Sequence, residues 1–317
     1  LFRSINQTNI IMRKIFLSVM LLCGSSIGFA QLMEVGSTQK VNLPEGVKVD
    51  MATISPNGDY LLVADQQKQG LQKLDLATGQ LTTVTTASGS EYDAKILDNG
   101  NTIVYRETQI GKDHLKRQAL KSVNLQTGEV QTIVDATREL NGVAANGDAV
   151  YVVKGRKLKT KAMGNAKADK KTPVAFIEYG QLMLTSNGKT VTLSPNGTEG
   201  QSYLWPSVSP DGTKVLYYLA GQGAFTCNID GTDVQHIGYI RAAKWYDNNI
   251  VVGMHDTDNG EFVTSSEVIA YSADGKEKQV LSDASTMAMY PTVSANGEKI
   301  SFTTPSGEAY IINVKTK

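Results

Sequence analysis

The residues that could do chemistry in this chain are few and scattered. His114, His236 and His255 lie far apart in the sequence, with no close ligand spacing, which argues against a catalytic zinc. The run His255-Asp256-Thr257-Asp258-Asn259-Gly260-Glu261 starts like a calcium loop. Its glycine comes one place too early and the distal glutamate is missing, so it reads as a polar hairpin. Gly24-Ser25-Ser26-Ile27-Gly28 matches the nucleophile-elbow formula, yet it lies in an apolar leader rather than between a strand and a helix. Gly221-Gln222-Gly223 opens no helix that could offer its N-terminus to a phosphate. Cys227 alternates with Phe225 and Ile229, the pattern of a buried, inert thiol. No catalytic residue, metal site or cofactor is assigned.

Binding residues stand out more clearly. Asp50, Tyr92, Asp93, Trp205, Arg241 and Tyr290 each precede a polar turn by seven or eight residues. Residues repeated at one place in a structural repeat gather at one end of the molecule, and here they are aromatic or charged. With His255 on a neighbouring loop, they would suit a sugar or a peptide at a funnel mouth. The competing role for Trp205 and Tyr290 is packing between repeats, since amphipathic aromatics serve both purposes.

Two ladders of glycine position these residues. The first closes Ser55-Pro56-Asn57-Gly58, Leu97-Asp98-Asn99-Gly100, Ala144-Ala145-Asn146-Gly147, Ser209-Pro210-Asp211-Gly212 and Ser294-Ala295-Asn296-Gly297, with an apolar residue three places on. The second lies at Gly79, Gly128, Gly188, Gly231 and Gly275, each after a strand-like run. Two hairpins in every ~40–45 residues describe one four-stranded propeller blade. Asp247-Asn248 fills the place of a missing first-ladder turn, which gives six blades. The 65 residues from Gly147 to Gly212 are longer than one repeat, but Gly188 fits as a second turn there and no further blade is inferred. Gly36 also falls at a second-turn spacing, while the last blade ends one strand short after Val314. The expectation is an all-β, six-bladed propeller of four-stranded antiparallel blades. An N-terminal strand, placed at Gln39–Leu43, completes the last blade and closes the ring.

The surplus in the long step is basic: Lys154, Arg156, Lys157, Lys159, Lys161, Lys167, Lys170 and Lys171. Lys157, Lys159 and Lys161 alternate, so they share one face of an extended segment, either a solvated edge or a docking arm for an acidic partner.

Met12-Arg13-Lys14, the apolar run Ile15–Cys23 and Gly28-Phe29-Ala30 form a secretory signal pattern, with Leu1–Ile11 upstream of it. Residues 1–30 are therefore read as a signal peptide cleaved near Ala30, and residues 31–317 as one propeller domain. Removal of the signal leaves 28 basic against 31 acidic residues, a balance with no pull toward nucleic acid. Cys227 is then the single cysteine, so no internal disulfide forms. No stretch reaches the ~18 apolar residues of a membrane span, and oligomeric state is not legible.

The Ser-Pro-Asn-Gly and Ser-Pro-Asp-Gly turns, with the lead-ins Trp205-Pro206-Ser207-Val208 and Tyr290-Pro291-Thr292-Val293, resemble the WD-like repeats of the TolB propeller family. The resemblance covers about residues 31–317 and implies a lone propeller, because too few residues precede Gly58 for the α/β domain that TolB carries. The family includes binding scaffolds, peptidase-associated propellers and some lyases, so the resemblance speaks for fold more than activity. The expected function is an exported, periplasmic or secreted module that binds a protein partner or a small ligand. The alternative is a carbohydrate- or peptide-processing enzyme at the same mouth.

Overall fold

The serine that opens three of the five first-ladder turns explains why the chain reverses there. In the computed structural model, which describes residues 31–67, 69–169 and 171–316, Ser55 Oγ accepts from the backbone N–H of Asp59 and Tyr60 at 3.0 and 3.1 Å. Gly58 adopts φ 71° and returns its N–H to Ser55 O. Ser209 and Ser294 use their hydroxyls in the same way, accepting from Lys214 N and Lys299 N. Two second-ladder turns use a side-chain carbonyl or carboxylate instead: Asp75 Oδ1 accepts from Ala77 N and Thr78 N, and Asn124 Oδ1 from Gln126 N and Thr127 N. These are local interactions, so both ladders hold wherever the sequence spells them.

The strands between the turns form seven sheets. The chain begins with β1 (Met33–Lys40). Blade 1 is β2 (Val49–Ile54), β3 (Tyr60–Asp65), β4 (Leu71–Asp75) and β5 (Leu81–Thr85). Blade 2 is β6 (Lys95–Ile96), β7 (Thr102–Ile110), β8 (Lys116–Asn124) and β9 (Val130–Thr137). Blade 3 has three strands, β10 (Leu140–Asn146), β11 (Ala149–Lys154) and β12 (Lys157–Ala162). Blade 4 also has three, β13 (Val174–Glu178), β14 (Gln181–Ser186) and β15 (Lys189–Thr192). Blade 5 is β16 (Tyr203–Val208), β17 (Lys214–Leu219), β18 (Gly223–Asn228) and β19 (Gln235–Gly238). Blade 6 is β20 (Arg241–Trp245), β21 (Ile250–Asp258), β22 (Val263–Ser272) and β23 (Lys278–Val280). Blade 7 is β24 (Met289–Val293), β25 (Lys299–Thr303) and β26 (Ala309–Thr316), completed by β1.

The expected count of six blades is therefore wrong. The long step between Gly147 and Gly212 contains the outer part of blade 3 and the whole of blade 4, and Gly188 is the β14–β15 turn of that additional blade. The basic segment forms the outermost strand of blade 3. Lys157, Lys159 and Lys161 belong to β12, whose residues pair in register with β11.

The N-terminal strand does complete the last blade, from Met33 opposite Thr316 to Lys40 opposite Tyr310. It begins earlier than the Gln39–Leu43 placement. Gly36 lies inside β1, beside a register shift, where an added Cβ would meet Asn313 O at 3.1 Å, so it is a close-approach glycine and not a turn.

Each of the seven blade interfaces has its own apolar cluster. Leu62 and Tyr105 join blades 1 and 2, Leu120 and Val152 blades 2 and 3, and Val153 and Phe176 blades 3 and 4. Leu182 with Tyr217, Leu216 with Val251, Val252 with Phe302, and Ile54 with Ile311 continue the series back to blade 1. Stability is spread around the ring as seven sheet-on-sheet contacts.

Candidate functional site

Five inner strands carry a β-bulge near their first residues. The register shifts lie between Val49 and Met51, Leu140 and Gly142, Leu204 and Ser207, Arg241 and Lys244, and Met289 and Thr292. At the same place Trp205, Ala242 and Tyr290 have φ of 48°, 50° and 51°, and Asp93, just before β6, has 57°. A left-handed conformation costs an L-residue roughly 1–2 kcal/mol and is unusual for bulky side chains. A bulge redirects the side chain it carries. Here it turns Trp205 and Tyr290 out of the sheet, leaving them 51% and 45% exposed.

The sequence-derived mouth residues fall on this rim. Asp50 is an exposed bulge residue, Tyr92 is exposed beside Asp93, and Asp93 pairs with Lys95. Trp205 rests one face on Tyr218, at a centroid distance of 5.3 Å. Arg241 is not free: Nε donates to Asp256 Oδ1 at 2.8 Å, and the pair ties the β21–β22 hairpin to the inner strand. His255 stands on that hairpin with Nδ1 3.3 Å from Glu267 Oε1. The stretch that starts like a calcium loop is the tip of the same hairpin, with Asn259 Oδ1 accepting from Glu261 N and Phe262 N. Asp50 also lines a cleft of about 230 Å³ with Asp65, Gln66, Gln67 and Glu91. Lys157, Lys159 and Lys161 lie elsewhere, exposed on β12, and Lys161 borders a groove of about 390 Å³ with Glu129 and Gln131.

Sequence reasoning missed three aromatics of the same rim. Tyr179 is at the tip of the β13–β14 turn, beside Gly180 whose carbonyl accepts from Tyr203 N at the start of β16. Tyr239 follows β19 and packs edge-on against His236, and Phe262 is on the β21–β22 tip. All three adjoin a turn glycine or its hairpin, a signal that was available. All six exposed aromatic side chains among the described residues, Tyr92, Tyr179, Trp205, Tyr239, Phe262 and Tyr290, are thus on the rim of the bulges.

Cys227 is buried, and burial pushes its thiol up to about 12, which keeps it protonated and unreactive. The pattern at Gly24–Gly28 lies outside the described residues. Among the described residues no three or more His, Cys, Asp or Glu side chains converge as metal ligands, and no helix is long and apolar enough to cross a membrane.

Comparison with family models and with curated proteins gives no match. Among solved structures the chain is similar to an oligogalacturonate lyase from Vibrio parahaemolyticus, at 15% identity and a TM-score of 0.58, over 89% of this chain and 96% of that one. It is also similar to a putative TolB from Agrobacterium tumefaciens, at 16% identity and a TM-score of 0.53, over 86% of this chain and 92% of that one. Identities this low speak for architecture and leave chemistry to the site. The chain is a β-propeller of seven antiparallel blades, with the fold shared by these TolB and lyase structures.

Proposed function

We propose that this protein is an exported binding module which holds an extended carbohydrate or peptide across the aromatic rim. The observation that carries this reading is the gathering of every exposed aromatic among the described residues at one rim, with Trp205 and Tyr290 held there in left-handed backbone. Isolated exposed aromatics would need no explanation, but six on one face form a surface with apolar faces and polar edges. Such rings stack on sugar faces or on peptide side chains and use their hydroxyls for orientation. The lyase neighbour brings the enzyme alternative to mind; no set of reacting groups among the described residues supports it, and the aromatic rim favours binding. Export to the periplasm rests on the tripartite pattern of residues 12–30, and the mature protein recovered from the cell envelope should begin at Gln31 by intact mass.

The chain has two tryptophans, and Trp205 is the one at the mouth. Titration with neutral and acidic oligosaccharides and with peptides should shift its emission, and Trp205→Phe should remove that contribution, leaving only whatever change Trp245 gives. Tyr290→Ala and Tyr239→Ala should each weaken the same ligand. A ligand that binds the protein with unchanged affinity in all three variants would show that the rim is not the site.

A further inference from the structure

The residues first paired after the five bulges are Met51, Gly142, Ser207, Lys244 and Thr292, and Lys95 is the first paired residue of β6, which has no bulge. They form one level of the inner strands, just below the rim. Four are neutral; two are lysines, from blades 2 and 6. Lys244 is exposed although it belongs to an innermost strand, so the solvent that reaches it is that of the central channel. Among the described residues no carboxylate pairs with it, whereas Lys95 has Asp93 and Arg241 has Asp256.

We propose that the central channel holds an anion site below the aromatic rim, in which Lys244 and Lys95 together take a carboxylate or phosphate group. The inference gives the ligand of the preceding reading an acidic group, but the site itself rests on separate residues. Asp93, already paired with Lys95, is the one carboxylate whose charge acts on Lys244. Behind it Arg106 is 95% buried with no carboxylate partner: Nη1 donates to Gln118 Oε1 and Leu140 O at 3.1 Å, and Nε has no partner. Surrounding strands and the charge of Lys95 both hold the Lys244 ammonium below its usual pKa, and Asp93 offsets them in part. Two cations at one level of the ring repel each other, and an anion between them removes that penalty. Channel walls also concentrate the field on such an ion. Ser207 Oγ, on the neighbouring blade, is buried without a partner, and the Ser207 carbonyl lies 3.4 Å from Trp245 Nε1, next to Lys244. The Ser207 hydroxyl is an unused donor at the same level of the inner strands as Lys244.

The test uses the whole mature protein with inorganic phosphate and, separately, acetate, at constant ionic strength set by chloride. Binding is read as a rise in melting temperature and as a change in Trp245 emission in the Trp205→Phe background. Saturable binding of either ion is expected, and Lys244→Met should weaken it by about tenfold or more, the usual worth of a charge-assisted hydrogen bond. Lys244→Arg should retain most of it, while Lys276→Met, which removes an exposed surface lysine, should change nothing. Phosphate and acetate arms distinguish the two anion types. Absence of saturable binding by both ions, or equal binding by parent and Lys244→Met once both are shown to melt cooperatively, would overturn the proposal. Anion binding that survives while no rim variant affects any ligand would separate failure of the rim reading from failure of this one.

Discussion

Ala242 offers a direct test of the bulge geometry on which the site depends. It has φ 50°, whereas its neighbour Ala243 is not among the residues with positive φ, and both are half-buried on β20. Replacing Ala242 by Gly should relieve roughly 1–2 kcal/mol of left-handed strain. It also frees the unfolded chain, which costs about 0.4–1 kcal/mol. The net expectation is a protein unchanged or stabilised by as much as ~1.5 kcal/mol. Ala243→Gly has no strain to relieve; it loses a methyl group and pre-ordering, and should destabilise by about 1 kcal/mol. Urea unfolding followed by tryptophan emission should separate the variants by about 2 kcal/mol, as a shift in midpoint at unchanged slope. The same loss in both variants would refute the bulge, and with it the argument that the backbone is strained in order to present Trp205 and Tyr290.

The closing strand should be an integral part of the fold. Met33 is fully buried and its backbone is held on both sides by the Gln279 side chain, at 3.0 and 2.9 Å. Met33→Ala should therefore cost about 2–5 kcal/mol by the usual large-to-small rule, while Val35→Ala, at an exposed position, should stay within about 0.5 kcal/mol. A melting temperature unmoved by Met33→Ala would show that the ring closes without β1. At the other end of β1, Lys40 bonds to Glu308 and lowers its pKa from 4.5. A depressed carboxyl stabilises above its unfolded pKa and loses that contribution as pH falls through the folded value. The parent should thus melt slightly above Glu308→Gln at neutral pH, the gap closing in acid; a gap independent of pH would deny the pair any role. If the β12 lysines dock an acidic partner, Lys157, Lys159 and Lys161 exchanged together for Glu should weaken that complex, less so at high salt, with little change in stability. Identical partner lists from envelope pull-downs of parent and variant would leave these lysines as a solvated edge.

The legible part of the fold is the part written in short-range chemistry. Ser55, Ser209 and Ser294 bond to backbone within five residues, so their turns could be read directly. Asp247 was recognisable as a substitute turn for the same reason, its Oδ1 accepting from Asn249 N and Ile250 N. Spacing from those turns located Asp50, Tyr92, Asp93, Trp205, Arg241 and Tyr290 on one rim. It could not say that Arg241 is already paired with Asp256, since that contact depends on the reach of the β21–β22 hairpin. Left-handed backbone at Trp205 and Tyr290 opposes the local preference of both residues, so no propensity rule would propose it. That Lys95 and Lys244 come to one level of the inner strands follows from the ring, not from any local pattern.

Blade 4 escaped because it runs the wrong way. Blade 3 stops at three strands, so the chain leaves it at the rim opposite the mouth, and β13 must climb back. Asn146, at the end of β10, contacts Thr172 just before β13, while Asn141, at the start of β10, contacts Glu178 at the end of β13. β13 therefore runs antiparallel to the inner strand beside it, and its first turn, Tyr179-Gly180, appears at the mouth instead of in the first ladder. Blade 4 also stops at three strands, which restores the polarity: Tyr203 N reaches Gly180 O, and β16 descends from the mouth again. One missing strand alone would have delivered blades 5, 6 and 7 inverted, sending Trp205, Lys244 and Tyr290 to the opposite rim from Asp50, Tyr92 and Lys95. The two omissions are coupled by this parity. Because blade 4 enters the ring reversed, it contributes a turn to the mouth where five other blades contribute a bulge, and Tyr179 at the tip of that turn is the most exposed aromatic of the six, at 96%.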